Sequence, residues 1–217
     1  MPCSSPFRKR GKRKLKLLLK ELKNLRTEID VPWGKEKDPK KILTGEILLI
    51  RTRYDQAKKV YEEFLAYFPD LQIEPEEEKE ALTILLKAGL KHRAEGLLKT
   101  LKLLCKGVPI NTELPYVSKY VLSAVNFLTG KSDFLYPDSN IIRFFNRYFG
   151  ITNSDKTHPS EKHVKLMKLI TRFGGRDNVL KVLDFSILIC KVKPECERCP
   201  LQKHCGFVKK NQRERKS

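Results

Sequence analysis

Apolar positions along this chain recur at intervals of three and four rather than two, so helices are expected and strand signals are sparse. Residues 40–50, Lys-Lys-Ile-Leu-Thr-Gly-Glu-Ile-Leu-Leu-Ile, read as a buried helix with Glu46 among apolar neighbours. In residues 54–68 the side chains of Ala57, Val60, Tyr61, Phe64 and Leu65 share one face of an amphipathic helix. The acidic stretch Glu74–Glu80 opens another helix, where negative charge suits the N-terminal dipole, and Ala88-Gly89-Leu90 closes it. Residues 92–105 are helical again. A loop at Gly107–Thr112 and a short helix at Val117–Leu128 follow. A turn-rich connector, Gly130–Pro137, leads to helices at Ser139–Tyr148, 160–173 and 178–190. No internal repeat is evident. The pattern predicts an all-α protein.

Charge changes the picture most. The 217 residues carry a net charge of +19, which calls for a polyanionic partner. Nucleic acid is the simplest; an anionic membrane surface is the alternative. No apolar run approaches the length of a membrane span. The ends are rich in Lys and Arg, and residues 1–20 and 206–217 read as basic, solvated tails. The body between them is basic as well. Hydrophobic residues make up 40% of the chain, enough for one domain or two small lobes. Cys3 falls in the first tail, and Cys105, in an apolar helical stretch, reads as a small core residue.

The other four cysteines, Cys190, Cys196, Cys199 and Cys205, are separated by five, two and five residues. That spacing can aim several sulfurs at one small object. Disulfides would need an oxidising compartment, and no secretory signal is recognisable. Zinc sites usually combine two Cys-x-x-Cys pairs. Here one pair is flanked by single cysteines, which favours an iron–sulfur cluster and leaves zinc open.

Three further features carry candidate chemistry. Leu114-Pro-Tyr-Val-Ser-Lys-Tyr120 lies between two helices. It is either a plain turn or a hairpin whose backbone N–H groups and following helix N-terminus hold a phosphate. Asp138 stands where it can cap the helix of Ile141 and Ile142, and such a site keeps a carboxylate ionised. A capping carboxylate can also be a functional one. Glu46 is either paired with a lysine or buried with a raised pKa, which would suit a general acid.

Taken together, these features resemble the helix–hairpin–helix DNA glycosylase superfamily of endonuclease III and MutY. The resemblance runs from about Pro32 to Cys205. Pro32-Trp33, Asp38-Pro39 and Gly45-Glu46-Ile-Leu-Leu-Ile-Arg51-Thr52 are similar to the MutY branch. Gly89–Glu95 resembles the helix start before the hairpin, Leu114–Tyr120 falls on the hairpin, and Asp138 falls on the family aspartate. Arg147-Tyr-Phe-Gly150 and Asp184-Phe-Ser are similar to the Mig-type branch, which acts on G/T mismatches. Three departures stand out. The hairpin is Tyr116-Val117-Ser118 where the family has Gly-Val-Gly, the first cysteine gap is one residue shorter, and the connector before Asp138 is one longer.

The resemblance implies a two-lobed helix–hairpin–helix fold. Residues 40–137 would form a six-helix lobe. Residues 21–39 and 138–205 would form a second lobe, holding a [4Fe–4S] cluster on Cys190, Cys196, Cys199 and Cys205. Asp138, Glu46 and Tyr120 would be catalytic. Arg51 would fill the gap left by a flipped base, with Tyr116 as a nearby wedge. Leu114, Val117, Ser118, Lys119, Lys191, Lys193, Arg198 and Lys203 would meet the DNA backbone. The implied activity is monofunctional removal of thymine or uracil mispaired with guanine in double-stranded DNA, by an intracellular prokaryotic monomer. The rival readings are a MutY-like adenine glycosylase, a bifunctional endonuclease III-like enzyme, and a non-catalytic DNA-binding member of the fold.

Overall fold

The computed structural model describes residues 6–25, 31–152 and 158–209, with the side chains of residues 6–10 left aside. Eight α-helices run through them: α1 (Pro6–Lys23), α2 (Pro39–Leu49), α3 (Tyr54–Tyr67), α4 (Glu78–Leu86), α5 (Lys91–Cys105), α6 (Lys119–Leu128), α7 (Ser139–Phe145) and α8 (Glu161–Leu188). Among the described residues there is no β-strand. The protein is all-α, as the periodicity predicted.

The chain forms two compact units. One comprises residues 30–132, the other residues 1–29 together with 133–217. In the first, α2 is wrapped by α3, α5 and α6. Its apolar pattern is nearly continuous, and residues Ile42 through Leu48 are all buried. Asp38 starts this helix by accepting the Lys40 N–H at 2.8 Å, with Pro39 in the first turn. Trp33, Ile42, Ile47, Phe64, Leu97 and Val121 fill the core. The segment around Trp33, expected to complete the cysteine lobe, packs here instead, because its indole is seated on α2.

In the second unit α8 carries both α1 and α7. Residues 6–20 are therefore no solvated tail. Leu15, Leu18 and Leu22 recur at helical spacing and are buried, while Lys12, Arg13, Lys16 and Lys20 face outward. The Lys14 ammonium caps the Tyr148 carbonyl at 2.5 Å, and the Tyr148 hydroxyl donates to the Lys14 carbonyl at 3.1 Å. The lysine-rich composition hid this short leucine stripe. The helices expected at 160–173 and 178–190 are one run broken at Gly175, whose φ of 67° and ψ of −176° are not helical. The helix expected at Ser139–Tyr148 gives way at Asn146 to a π turn ending at Gly150. Cys105 is exposed, not buried as expected. It is the last residue of α5, and its thiol points at the Leu71 carbonyl 3.3 Å away. Cys3 and residues 210–217 lie outside the described residues. No helix among the described residues is long and apolar enough to cross a membrane.

Candidate active site and cysteine cradle

In the unit of residues 30–132, Glu46 is buried on α2 and accepts the indole N–H of Trp33 at 2.9 Å. Trp33 is itself fully buried, stacked obliquely on Tyr61 at 5.0 Å. The ring lies so close to α2 that a Cβ on Gly45 would stand 2.1 Å from it. Gly45 is therefore the seat of Trp33, and Trp33 fixes one carboxylate oxygen of its neighbour Glu46. The reading of Glu46 as a buried carboxyl, rather than a surface partner of lysine, fits this placement.

Just beyond α2 the chain makes a tight turn. Ile50 has φ −60° and ψ 114°, Arg51 has φ 54°, and the Thr52 N–H returns to the Leu49 carbonyl at 3.2 Å. The Ile50 angles and the positive φ of Arg51 match the pattern of a type II turn, which normally places glycine where Arg51 stands. Arg51 is exposed.

The hairpin repeats this device. Pro115 and Tyr116 are the central residues of a turn closed by the Val117 N–H and the Leu114 carbonyl at 3.2 Å. Tyr116 has φ 61°, a left-handed angle that favours glycine. Its ring packs on α5 beside His92, at 5.7 Å, in a slot opened by Gly96, where a Cβ would lie 2.2 Å from the ring. The Thr100 hydroxyl holds the Pro115 carbonyl at 2.6 Å. The Tyr116 ring thus serves the turn's conformation, and its expected role as a wedge is not what its packing favours. Ser118 caps α6 by accepting the Val121 N–H at 3.2 Å, and Ser118 and Lys119 are exposed. Leu114 is buried beneath the turn. Tyr120, half-buried in the first turn of α6, packs against the unit's core.

In the other unit, Asp138 caps α7. One carboxylate oxygen accepts the Ile141 N–H at 2.8 Å, the other the Asn140 side-chain amide at 2.7 Å. Desolvation nevertheless pushes its pKa up; these hydrogen bonds and the charge of Arg143 only oppose the shift. The helix end that the sequence suggested would keep the group ionised does not outweigh burial.

Cys190, Cys196, Cys199 and Cys205 all line one small cavity of about 20 Å³, together with Phe144, Tyr148, Phe185 and Leu201. Two arginines brace its wall. Arg143 donates to the carbonyls of Ser186 and Cys190 at 2.8 and 3.0 Å. Arg147, in the π turn, donates to the carbonyls of Lys191 and Val192 at 2.6 and 2.9 Å and approaches the Cys190 sulfur at 3.7 Å. Burial raises the pKa of the Cys190 and Cys199 thiols, Cys199 to about 11. Among the described residues no three Cys, His, Asp or Glu side chains form a group that could hold a single metal ion. Of the cations expected at DNA on this loop, Lys191 and Arg198 pair with Glu195, while Lys193 and Lys203 are exposed.

The chain is 33% identical over 195 residues to a thymine/uracil-DNA glycosylase of Methanothermobacter thermautotrophicus, covering 83% of this chain and 87% of that protein. It belongs to the thymine/uracil-DNA glycosylase family. The solved structure of a thermostable thymine-DNA glycosylase superposes with a TM-score of 0.70 at 31% identity, covering 94% of this chain and 98% of that one. An endonuclease III trapped in a covalent complex with DNA superposes with a TM-score of 0.71 at 16% identity over the same shares, which shows the common fold. No family model matches the chain. The contacts that hold Trp33, Tyr116 and the Cys190 loop were not legible in the sequence. Gly45 seats the Trp33 ring, Gly96 seats the Tyr116 ring, and Arg147 braces the loop that begins at Cys190.

Proposed function

We infer that the protein is a monofunctional DNA glycosylase of base-excision repair that removes thymine or uracil mispaired with guanine. Kinship with thymine/uracil-DNA glycosylases over most of both chains carries this reading. A stacked base hides its glycosidic bond, so the nucleotide must be flipped out of the duplex. Arg51, exposed on its turn, occupies the gap. The N–C1′ bond then breaks towards an oxocarbenium-like sugar. The Asp138 carboxylate stabilises that cation and takes a proton from the attacking water, whose oxygen bonds C1′. Glu46, oriented by Trp33, delivers a proton to the departing base. Tyr120 lines the pocket and, being a phenol, forms no Schiff base. The hairpin, with Leu114, Val117, Ser118 and Lys119, and the loop cations Lys191, Lys193, Arg198 and Lys203 hold the DNA backbone. The protein acts as an intracellular monomer.

The four cysteines suit a [4Fe–4S] cluster. The four cysteines line one cradle, its other walls are largely apolar, and Arg147 offers positive charge beside Cys190. Such a cluster would supply a rigid core to the loop that bears Lys191, Lys193, Arg198 and Lys203. Protein purified without oxygen is expected to be yellow-brown, with about four irons per chain. Stoichiometric zinc without iron would contradict the cluster.

The activity is tested on duplexes containing G·T, G·U or adenine opposite 8-oxoguanine. Thymine and uracil should be released, with strand breaks appearing only after alkali. Efficient borohydride trapping of the protein on DNA would overturn the monofunctional reading. Adenine release with G·T untouched would overturn the substrate.

A further inference from the structure

Arg93, in the first turn of α5, is 1% exposed. Its pKa is lowered by desolvation. Among the described residues its partners are one hydroxyl and main-chain carbonyls. One guanidinium nitrogen donates to the carbonyls of Leu48, at 3.1 Å, and Ile50, and to the Thr52 hydroxyl at 2.6 Å. The other donates to the Ala88 carbonyl at 2.6 Å, where α4 ends. The Thr52 hydroxyl in turn donates to that same carbonyl at 3.1 Å. Arg93 thus gathers the negatively polarised ends of α2 and α4. Burying a cation this deeply is costly, and a helix cap alone needs no arginine.

What this cation holds is the turn of Arg51. Ile50 and Thr52, the residues on either side of Arg51, both bond to Arg93. Arg51 itself sits at φ 54°, a conformation that costs a non-glycine residue about 1–2 kcal/mol. Nothing local in an arginine favours that angle, so the flanking bonds are what enforce it. We propose that Arg93 is a positioning residue for base flipping, clamping the Ile50–Thr52 turn so that Arg51 is presented to the duplex ready-made. This rests on the reading of Arg51 as the gap-filling residue. The planar fork is essential, because one end reaches Ile50 and the other reaches Ala88. Lysine keeps the charge but cannot span both.

The test compares Arg51→Ala, Arg93→Lys and the double variant. The probe is a G·T duplex with 2-aminopurine beside the mispaired thymidine. A 2′-fluoro group on that thymidine slows hydrolysis during the fluorescence measurement. Flipping is read as the fluorescence rise, and excision by single turnover on the unfluorinated duplex. Arg93→Lys is expected to cut the flipping amplitude and slow excision about ten- to hundredfold, as a small misplacement at an active site does. Affinity for undamaged duplex should be unchanged, and the double variant no worse than Arg51→Ala. A purely structural arginine would lower Tm without this non-additivity. Should Arg93→Lys fail to fold, Thr52→Val, which removes the hydroxyl linking Arg93 to Ala88, carries the same test. Normal flipping in both Arg93→Lys and Thr52→Val, or losses that multiply in the double variant, overturns the proposal alone. Normal flipping by Arg51→Ala overturns the gap-filling reading and the proposal with it.

Discussion

Asp138→Asn is expected to slow single-turnover base release by at least about a thousandfold while making the protein more resistant to heat. The rate loss follows from chemistry. A neutral amide cannot balance the positive charge that grows on the sugar, nor take a proton from water. The stability gain follows from burial. A carboxyl whose pKa is raised in the fold binds its proton more readily folded than unfolded, so its charge subtracts from stability once the pH exceeds the unfolded value. The penalty is absent below the ordinary carboxylate range and complete above the raised pKa. Asparagine removes it and still caps α7, because its side-chain oxygen can accept the Ile141 N–H, and Asn140 need only turn its amide. Melting curves at neutral and acidic pH should therefore separate for the two proteins at neutral pH and converge in acid. Excision by the natural protein should decline as the pH falls through the raised pKa, earlier than an exposed aspartate would dictate. Near-normal excision by the variant would reduce Asp138 to a helix cap.

A methyl group on Gly96 is expected to weaken binding to duplex DNA about tenfold or more, and a second change, Tyr116→Gly, to restore it. Gly96→Ala drives a Cβ into the Tyr116 ring, and the ring cannot leave without releasing the left-handed turn. That conformation costs a tyrosine about 1–2 kcal/mol, which the ring's packing on α5 offsets. Glycine at position 116 adopts it freely and leaves no ring to clash. The double variant therefore rebuilds the family's hairpin in a new way. Titrations at several salt concentrations decide the matter. The single variant should show a shallower salt dependence, because fewer phosphates are held. Unchanged affinity for Gly96→Ala, or a double variant no better than the single, would disprove the lock.

The hairpin also shows how far the sequence can be read. Its place in the chain was visible, because Leu-Pro followed by a helix signal is a local pattern. The means of holding it was not, because Tyr116 and Gly96 are twenty residues apart and the slot exists only once α5 has packed. The same holds for Glu46. An apolar helix with one carboxyl is plain in the sequence; that Trp33 supplies its donor depends on a ring lying flat on Gly45. Arg93 was invisible for another reason. In a chain with 45 lysines and arginines, one more cation near a helix start suggests solvent, and only packing distinguishes the buried one. For α1 the opposite holds: its charge density suggests a tail, although three leucines at helical spacing are enough to bury one face.

The two units differ in how the ribosome delivers them. Residues 30–132 leave the exit tunnel as one uninterrupted stretch and can fold as soon as they emerge. The other unit is assembled from both ends of the chain. Its first helix ends at Lys23, and α8, the helix it packs on, begins at Glu161, 138 residues later. At ordinary elongation rates that is a wait of roughly seven to thirty seconds. The leucine face of α1 spends that time without its partner. Cys190, Cys196, Cys199 and Cys205 follow α8 in the chain, so any metal they hold enters only once the α1–α8 pairing can form.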